Sequence, residues 1–146
     1  MVVQGKFNQP EMPFVPKGWG YELHIVNKES YCGKILHFIK NKRCSVHFHK
    51  KKDETFFLSK GKIQIYWTDD VKKLEVTLKS RNLYGKKWYD ANGYLDYLES
   101  FTLNEGDNFY VPPGRAHQMI ALEQSELFEF STQDFPDDSF RAVLGD

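Results

Sequence analysis

The chain has 146 residues, enough for one domain that buries roughly 70% of the surface its unfolded form would expose. Apolar residues make up 40% and aromatics 16%, which excludes a disordered chain; 20 basic residues balance 20 acidic ones, which gives nucleic-acid binding no electrostatic support. No stretch approaches the ~20 apolar residues of a membrane span, and the first residues lack the apolar core of a signal peptide, so the expectation is a soluble, cytoplasmic protein.

Residues 1–18 carry Pro10, Pro13 and Pro16, a spacing that forbids helix, and read as an extended arm lying on a domain that fills residues 19–146. Short runs rich in β-branched and aromatic residues follow: YELHIV (21–26), KILHFI (34–39), SVHFH (45–49), TFFLS (55–59), KIQIYW (62–67) and KLEVTL (73–78). Several alternate apolar and polar residues with period two, as half-buried strands do. Residues 80–100 break the rhythm. They read as an inserted loop with a short helix around Ala91–Leu98 or as one more hairpin, and periodicity does not decide. NFYVP (108–112), HQMIAL (117–122) and ELFEFST (126–132) complete the series, so the expected class is all-β, a sandwich or barrel. Cys32 and Cys44 read as buried free thiols.

In an extended segment residues i and i+2 share a side, so His47 and His49 project together while Val46 and Phe48 pack the other way. Two imidazoles on one face can fill two corners of a metal's coordination sphere, and Glu54 can bring a carboxylate alongside. On these residues alone, a ligand pair and a merely polar strand face are equal readings. A second stretch, GDNFYVPPGRAHQMI (106–120), adds Gly106, Pro112, Gly114 and His117. The two stretches read H-x-H-x4-E-x6-G and G-x5-P-x-G-x2-H.

Together they resemble the two motifs of the cupin superfamily. The resemblance implies a double-stranded β-helix, a jelly-roll barrel, with His47, His49, Glu54 and His117 binding one divalent metal ion inside it. Zinc is the first expectation, with iron, manganese and nickel as alternatives. Asn41 stands where the family has a glycine, and asparagine tolerates the left-handed conformation better than most residues. Asp53 rivals Glu54 as the acidic ligand, and the six-residue gap to Gly61 favours Glu54.

KGWGYE (17–22) and FEFSTQDFPDDSFRA (128–142) resemble the opening and closing segments of the cupin domain of mannose-6-phosphate isomerases. That likeness implies a metal-dependent isomerase or epimerase acting on a sugar phosphate or nucleotide-linked sugar through a cis-enediolate. Glu54, Lys52 and Arg115 are then the catalytic candidates, and Lys17, Trp19, Tyr21, Arg115 and Gln133 the substrate-binding ones. Arg141 reads as a phosphate ligand or a tail-to-body salt bridge. Three features pull the other way. Lys50–Lys52 reads first as a solvated loop, Trp19 and Tyr21 as closure of the barrel end, and His24 and His37 as ordinary strand residues. The chain also departs from that family by having His47 in place of glutamine, and Ser131, Thr132 and Gln133 in place of Q-T-G. A third imidazole also suits a non-haem Fe(II) dioxygenase. A non-catalytic sugar-binding cupin is the third reading. A homodimer formed through a sheet edge or an exchanged N-terminal strand is expected, with no nucleic-acid or membrane partner.

Overall fold

The computed structural model describes residues 4–8 and 11–146. Among the described residues eleven strands form two antiparallel sheets: β1 (Phe14–Lys17), β2 (Gly20–Asn27), β3 (Cys32–Phe38), β4 (Val46–Phe48), β5 (Glu54–Lys60), β6 (Lys62–Thr68), β7 (Glu99–Asn104), β8 (Asn108–Val111), β9 (Ala116–Ala121), β10 (Ser125–Ser131) and β11 (Phe140–Val143). The first sheet runs β1-β2-β3-β10-β5-β8 and the second β11-β4-β9-β6-β7. This is the expected jelly roll. Part of the expected arm, β1, pairs antiparallel with β2, Phe14 opposite Leu23 and Lys17 opposite Gly20. Pro10 lies outside the described residues.

The alternation read in the sequence sorts inside from outside. On β3, Cys32, Lys34, Leu36 and Phe38 are buried while the residues between them are only half-buried. Their partners on β10 follow the same phase, with Phe38 opposite Ser125, Leu36 opposite Leu127 and Lys34 opposite Glu129. One half of the interior is thus apolar, closed by Phe38, Leu58, Ile63, Ile65, Leu103 and Leu127. In the other half, charged side chains take the inward positions. Turn geometry matches the motif glycines where it matters most. Gly61 sits at φ 97°, and a Cβ there would collide with Ser125. Asn41 adopts the left-handed conformation at φ 70°.

One expectation for the middle of the chain is revised. KLEVTL belongs to a helix, α1 (Val71–Ser80), and not to a strand. Leu74 and Leu78 satisfy a period of two and a helical period equally, but Val76, which only the strand reading buries, is 61% exposed. Asp70 caps the helix by accepting from the Lys73 amide at 3.1 Å. Residues 80–100 follow the loop reading and not the hairpin, with short 3-10 turns at Trp88–Asp90 and Tyr94–Tyr97, the second inside the helix expected around Ala91–Leu98, and then enter β7, a strand absent from the sequence reading. α1 and these turns cover the outer face of the second sheet. There Val46, Phe48, Leu74, Leu78, Tyr94 and Val143 belong to a second apolar core. Among the described residues no helix is long and apolar enough to cross a membrane.

Candidate functional site

The inward phase of β4 and its exit place His47 and His49 in the polar half of the barrel, and β9 brings His117 directly opposite His47 as its cross-strand partner. One ring nitrogen from each of the three lies within 4.8 Å of the others. Glu54 opens β5 from the opposite sheet, and its Oε2 stands 3.6 Å from His49 Nε2 and 3.5 Å from His117 Nε2. Side chains from two sheets and 70 positions apart in sequence (47 to 117) thus converge on one point.

Backbone carbonyls orient all three rings. His47 Nδ1 donates to the Ser45 carbonyl at 3.0 Å, His117 Nδ1 to the Arg115 carbonyl at 3.1 Å, and His49 Nδ1 to the Asp138 carbonyl. A carbonyl only accepts, so each Nδ1 carries the proton and each Nε2 presents a lone pair. Burial pushes the His117 imidazole down to about 3 and His47 well below its ordinary value, the neighbouring imidazoles adding to the effect at both. Burial raises the Glu54 carboxyl well above its ordinary range, and the charge of Glu129 adds to that. Glu54 Oε2 and His117 Nε2 are buried with no hydrogen-bond partner among the described residues. Orphaned buried lone pairs on neighbouring side chains are costly unless a cation shares them. The donor set of three imidazole nitrogens and a carboxylate oxygen fits a divalent metal ion, with coordination positions left for a ligand.

Beside this set runs a chain of buried charges. Lys52 is only 3% exposed, so its reading as a solvated loop lysine is overturned. Its Nζ donates to Glu129 at 2.7 Å and Asp134 at 2.8 Å and lies 3.7 Å from Glu54. Three carboxylates draw it inward. Burial alone would lower the Lys52 ammonium, but Glu129 and Glu54 hold it above its ordinary value. Lys34 continues the chain to Asp134 at 3.1 Å and Glu22 at 3.6 Å, and Glu22 accepts from His24 Nε2 at 2.8 Å. Burial pushes the Glu22 and Asp134 carboxyls up. Their cationic neighbours outweigh it and hold both at about 2.

Both features line one cavity of about 640 Å³, with Trp19, Phe56 and Met119 on its apolar wall. Lys17 lines it too, 3.8 Å from Glu22. Arg141, the cross-strand neighbour of His47, reaches the same cavity, and its side chain has no hydrogen bond or ion pair among the described residues. Three sequence candidates are not among its lining residues. Arg115 forms a two-pronged ion pair with Asp69 at 2.8 and 3.0 Å and lies over the Trp67 ring, because the end of β6 offers it a partner that motif spacing does not reveal. Tyr21 stacks on His37 across β2 and β3, and Gln133 is half-buried outside the lining. Asp53, the rival acid, instead bonds the Tyr110 hydroxyl, on a side of the strand that Glu54 does not share.

Sequence reasoning missed Glu22, Lys34, Glu129, Asp134 and Asp138, and took His24 for an ordinary strand residue although it lines the cavity. The signal was available for Lys34 and Glu129. Each is a charge in the buried phase of an alternating strand, and such a charge needs partners or a ligand.

The chain matches the cupin family over residues 8–143, and it belongs to that family. No curated protein matches it in sequence. Among solved structures it is similar to oxalate decarboxylase from Bacillus subtilis, at 17% identity and a TM-score of 0.68 over 97% of this chain and 33% of that one. It is also similar to KdgF from Halomonas sp., at 15% identity and a TM-score of 0.62 over 90% of this chain and 96% of that one. The capsular polysaccharide assembling protein CapF from Staphylococcus aureus matches at 11% identity and a TM-score of 0.64, over 91% of this chain and 34% of that one. The chain therefore spans about a third of the length of oxalate decarboxylase and of CapF, and nearly all of KdgF. At these identities the likeness is one of fold.

Proposed function

We propose that this cupin binds one divalent metal ion, zinc in the first instance, through His47, His49, Glu54 and His117, and isomerises a small sugar phosphate of the mannose 6-phosphate type. One observation carries the reading. The donor set shares its cavity with an exposed arginine, Arg141, the cross-strand partner of His47, whose side chain has no hydrogen bond or ion pair among the described residues. A guanidinium in that setting suits a phosphate or carboxylate, which it can grip with two parallel hydrogen bonds. Trp19, Phe56 and Met119 give the cavity an apolar wall, and the alternating carboxylates and ammoniums offer a sugar's hydroxyls both acceptors and donors. The stretches around Lys17 and Arg141 that resemble mannose-6-phosphate isomerases both contribute lining residues to the same cavity.

A bound metal would supply Lewis-acid polarisation of a carbonyl oxygen. The chain's own residues do the rest. Arg141 holds the anionic end, Lys52 keeps Glu54 and Glu129 in a fixed electrostatic setting, and Glu54 serves at different moments as metal ligand and as the base that moves a proton between adjacent carbons. Elemental analysis of gently purified protein, followed by NMR of a sugar-phosphate panel, tests the reading. Zinc with aldose–ketose exchange, abolished by chelation and restored by added metal, is expected. Arg141→Ala should raise KM by roughly 10- to 100-fold with a smaller effect on kcat, as loss of a charged contact that holds the ground state and transition state alike. Native zinc with no product from any sugar phosphate would leave a sugar-binding cupin.

The third imidazole, His47, favours one second reading, a non-haem Fe(II) dioxygenase. Native iron and oxygen uptake would select it. The proposed homodimer is read separately, by sedimentation.

A further inference from the structure

Four residues separate His49 from Glu54, and three of them are consecutive lysines. Like charges in a short loop repel, so something must hold the two flanking donors in place. The connection between β10 and β11 does so. Thr132 accepts from the Asp53 amide through Oγ1 at 3.0 Å and returns a bond from its own amide to the Asp53 carbonyl at 3.0 Å. The carboxylate of Asp138, only 4% exposed, accepts from the backbone amides of Lys50 at 2.8 Å, Lys51 at 3.2 Å and Lys52 at 3.0 Å. Three successive amides turned on one anion form a concave nest, a strong and geometrically exacting arrangement. The backbone carbonyl of the same residue accepts from His49 Nδ1. Lys50 and Lys51 turn their cations away, over the rings of Phe140 and Phe135.

We propose that Asp138 is a positioning residue of the metal site, whose carboxylate shapes the 50–53 loop while its carbonyl sets the tautomer and direction of His49. The assignment rests on the metal reading above. Through the loop it also fixes where β5 begins, and with it Glu54. Hydrogen-bond partners of this kind typically account for about 10- to 100-fold in metal affinity.

The experiment compares wild type, Asp138→Asn and Asp137→Asn, the last an exposed neighbour as control. Zn²⁺ affinity is measured by chelator competition, and the ring tautomers of His49 and His117 by ¹⁵N NMR of the metal-free protein. D138N keeps the side chain's size but loses the charge and turns an NH₂ toward the three amides. It should bind Zn²⁺ 10- to 100-fold more weakly and show mixed tautomers at His49 but not at His117, whose carbonyl partner lies elsewhere. D137N should match wild type in both. A D138N protein with wild-type affinity and an unmoved His49 spectrum overturns the proposal. A wild type that takes up no Zn²⁺ overturns the metal reading instead, and the His49 spectrum then decides on Asp138 alone. If D138N does not fold, Asp138→Glu, which displaces the charge by one methylene, is judged by the same two readouts.

Discussion

Lys52 is the residue where environment and first impression differ most. It stands in a run of lysines yet is sealed among Glu54, Glu129 and Asp134. Removing one partner of a buried charge cluster leaves the others uncompensated, so Lys52→Met should cost about 3–5 kcal/mol in urea denaturation at neutral pH. Glu22 and Asp134 give the matching acid response. Their folded-state values of about 2 lie below the ordinary carboxylate range, so their contribution is complete above that range and is lost as pH falls through it toward 2. Urea midpoints should therefore decline steadily below about pH 5, and less steeply in Asp134→Asn, which no longer has that proton to bind. The donor set itself was readable because motif spacing and the two-residue strand period fix which side chains share a side. Which of Arg115 and Arg141 keeps a free side chain among the described residues was not. Both are plausible anion ligands in sequence, and only the placement of Asp69 at the end of β6 shows which one is already occupied.

At the level of elements, most strands were legible while the helix, β7 and β11 were not, the helix for a definable reason. Within KLEVTL, Leu74 and Leu78 fit both periods, and the cap that decides the matter, Asp70, lies outside that window. β7 was missed because its residues at Glu99–Asn104 alternate weakly and only Leu103 is buried. The helix should respond to mutation as a helix does. Leu78→Ala, at a fully buried position, should cost about 2–5 kcal/mol, whereas Val76→Lys should stay within about 0.5 kcal/mol. Thermal or urea unfolding of the two variants checks this. Comparable losses in both would mean that Val76 is buried in solution.

Across the whole molecule, the donors come from both sheets: Glu54 from the first, and His47, His49 and His117 from the second or its edge. A bound ion would therefore join the two halves of the barrel as well as serve the cavity. Chelation should lower the melting temperature, with a loss near 2.7 kcal/mol if the ion had been present at about a hundred times its Kd. A scan with and without a chelator, repeated on His117→Ala, separates this from effects of the chelator itself, since the variant should no longer respond. The second apolar core has a related effect on this sheet. β9 is buried at every position from Ala116 to Ala121, with one side on the barrel interior and the other under the inserted segment.

The stacked pair Trp19 and Phe38, 4.2 Å apart on the cavity wall, has an optical consequence. An indole at the edge of the compartment is a fluorophore already in place, so the protein can report the arrival of a quenching ion or a ligand by its own emission, with no label attached.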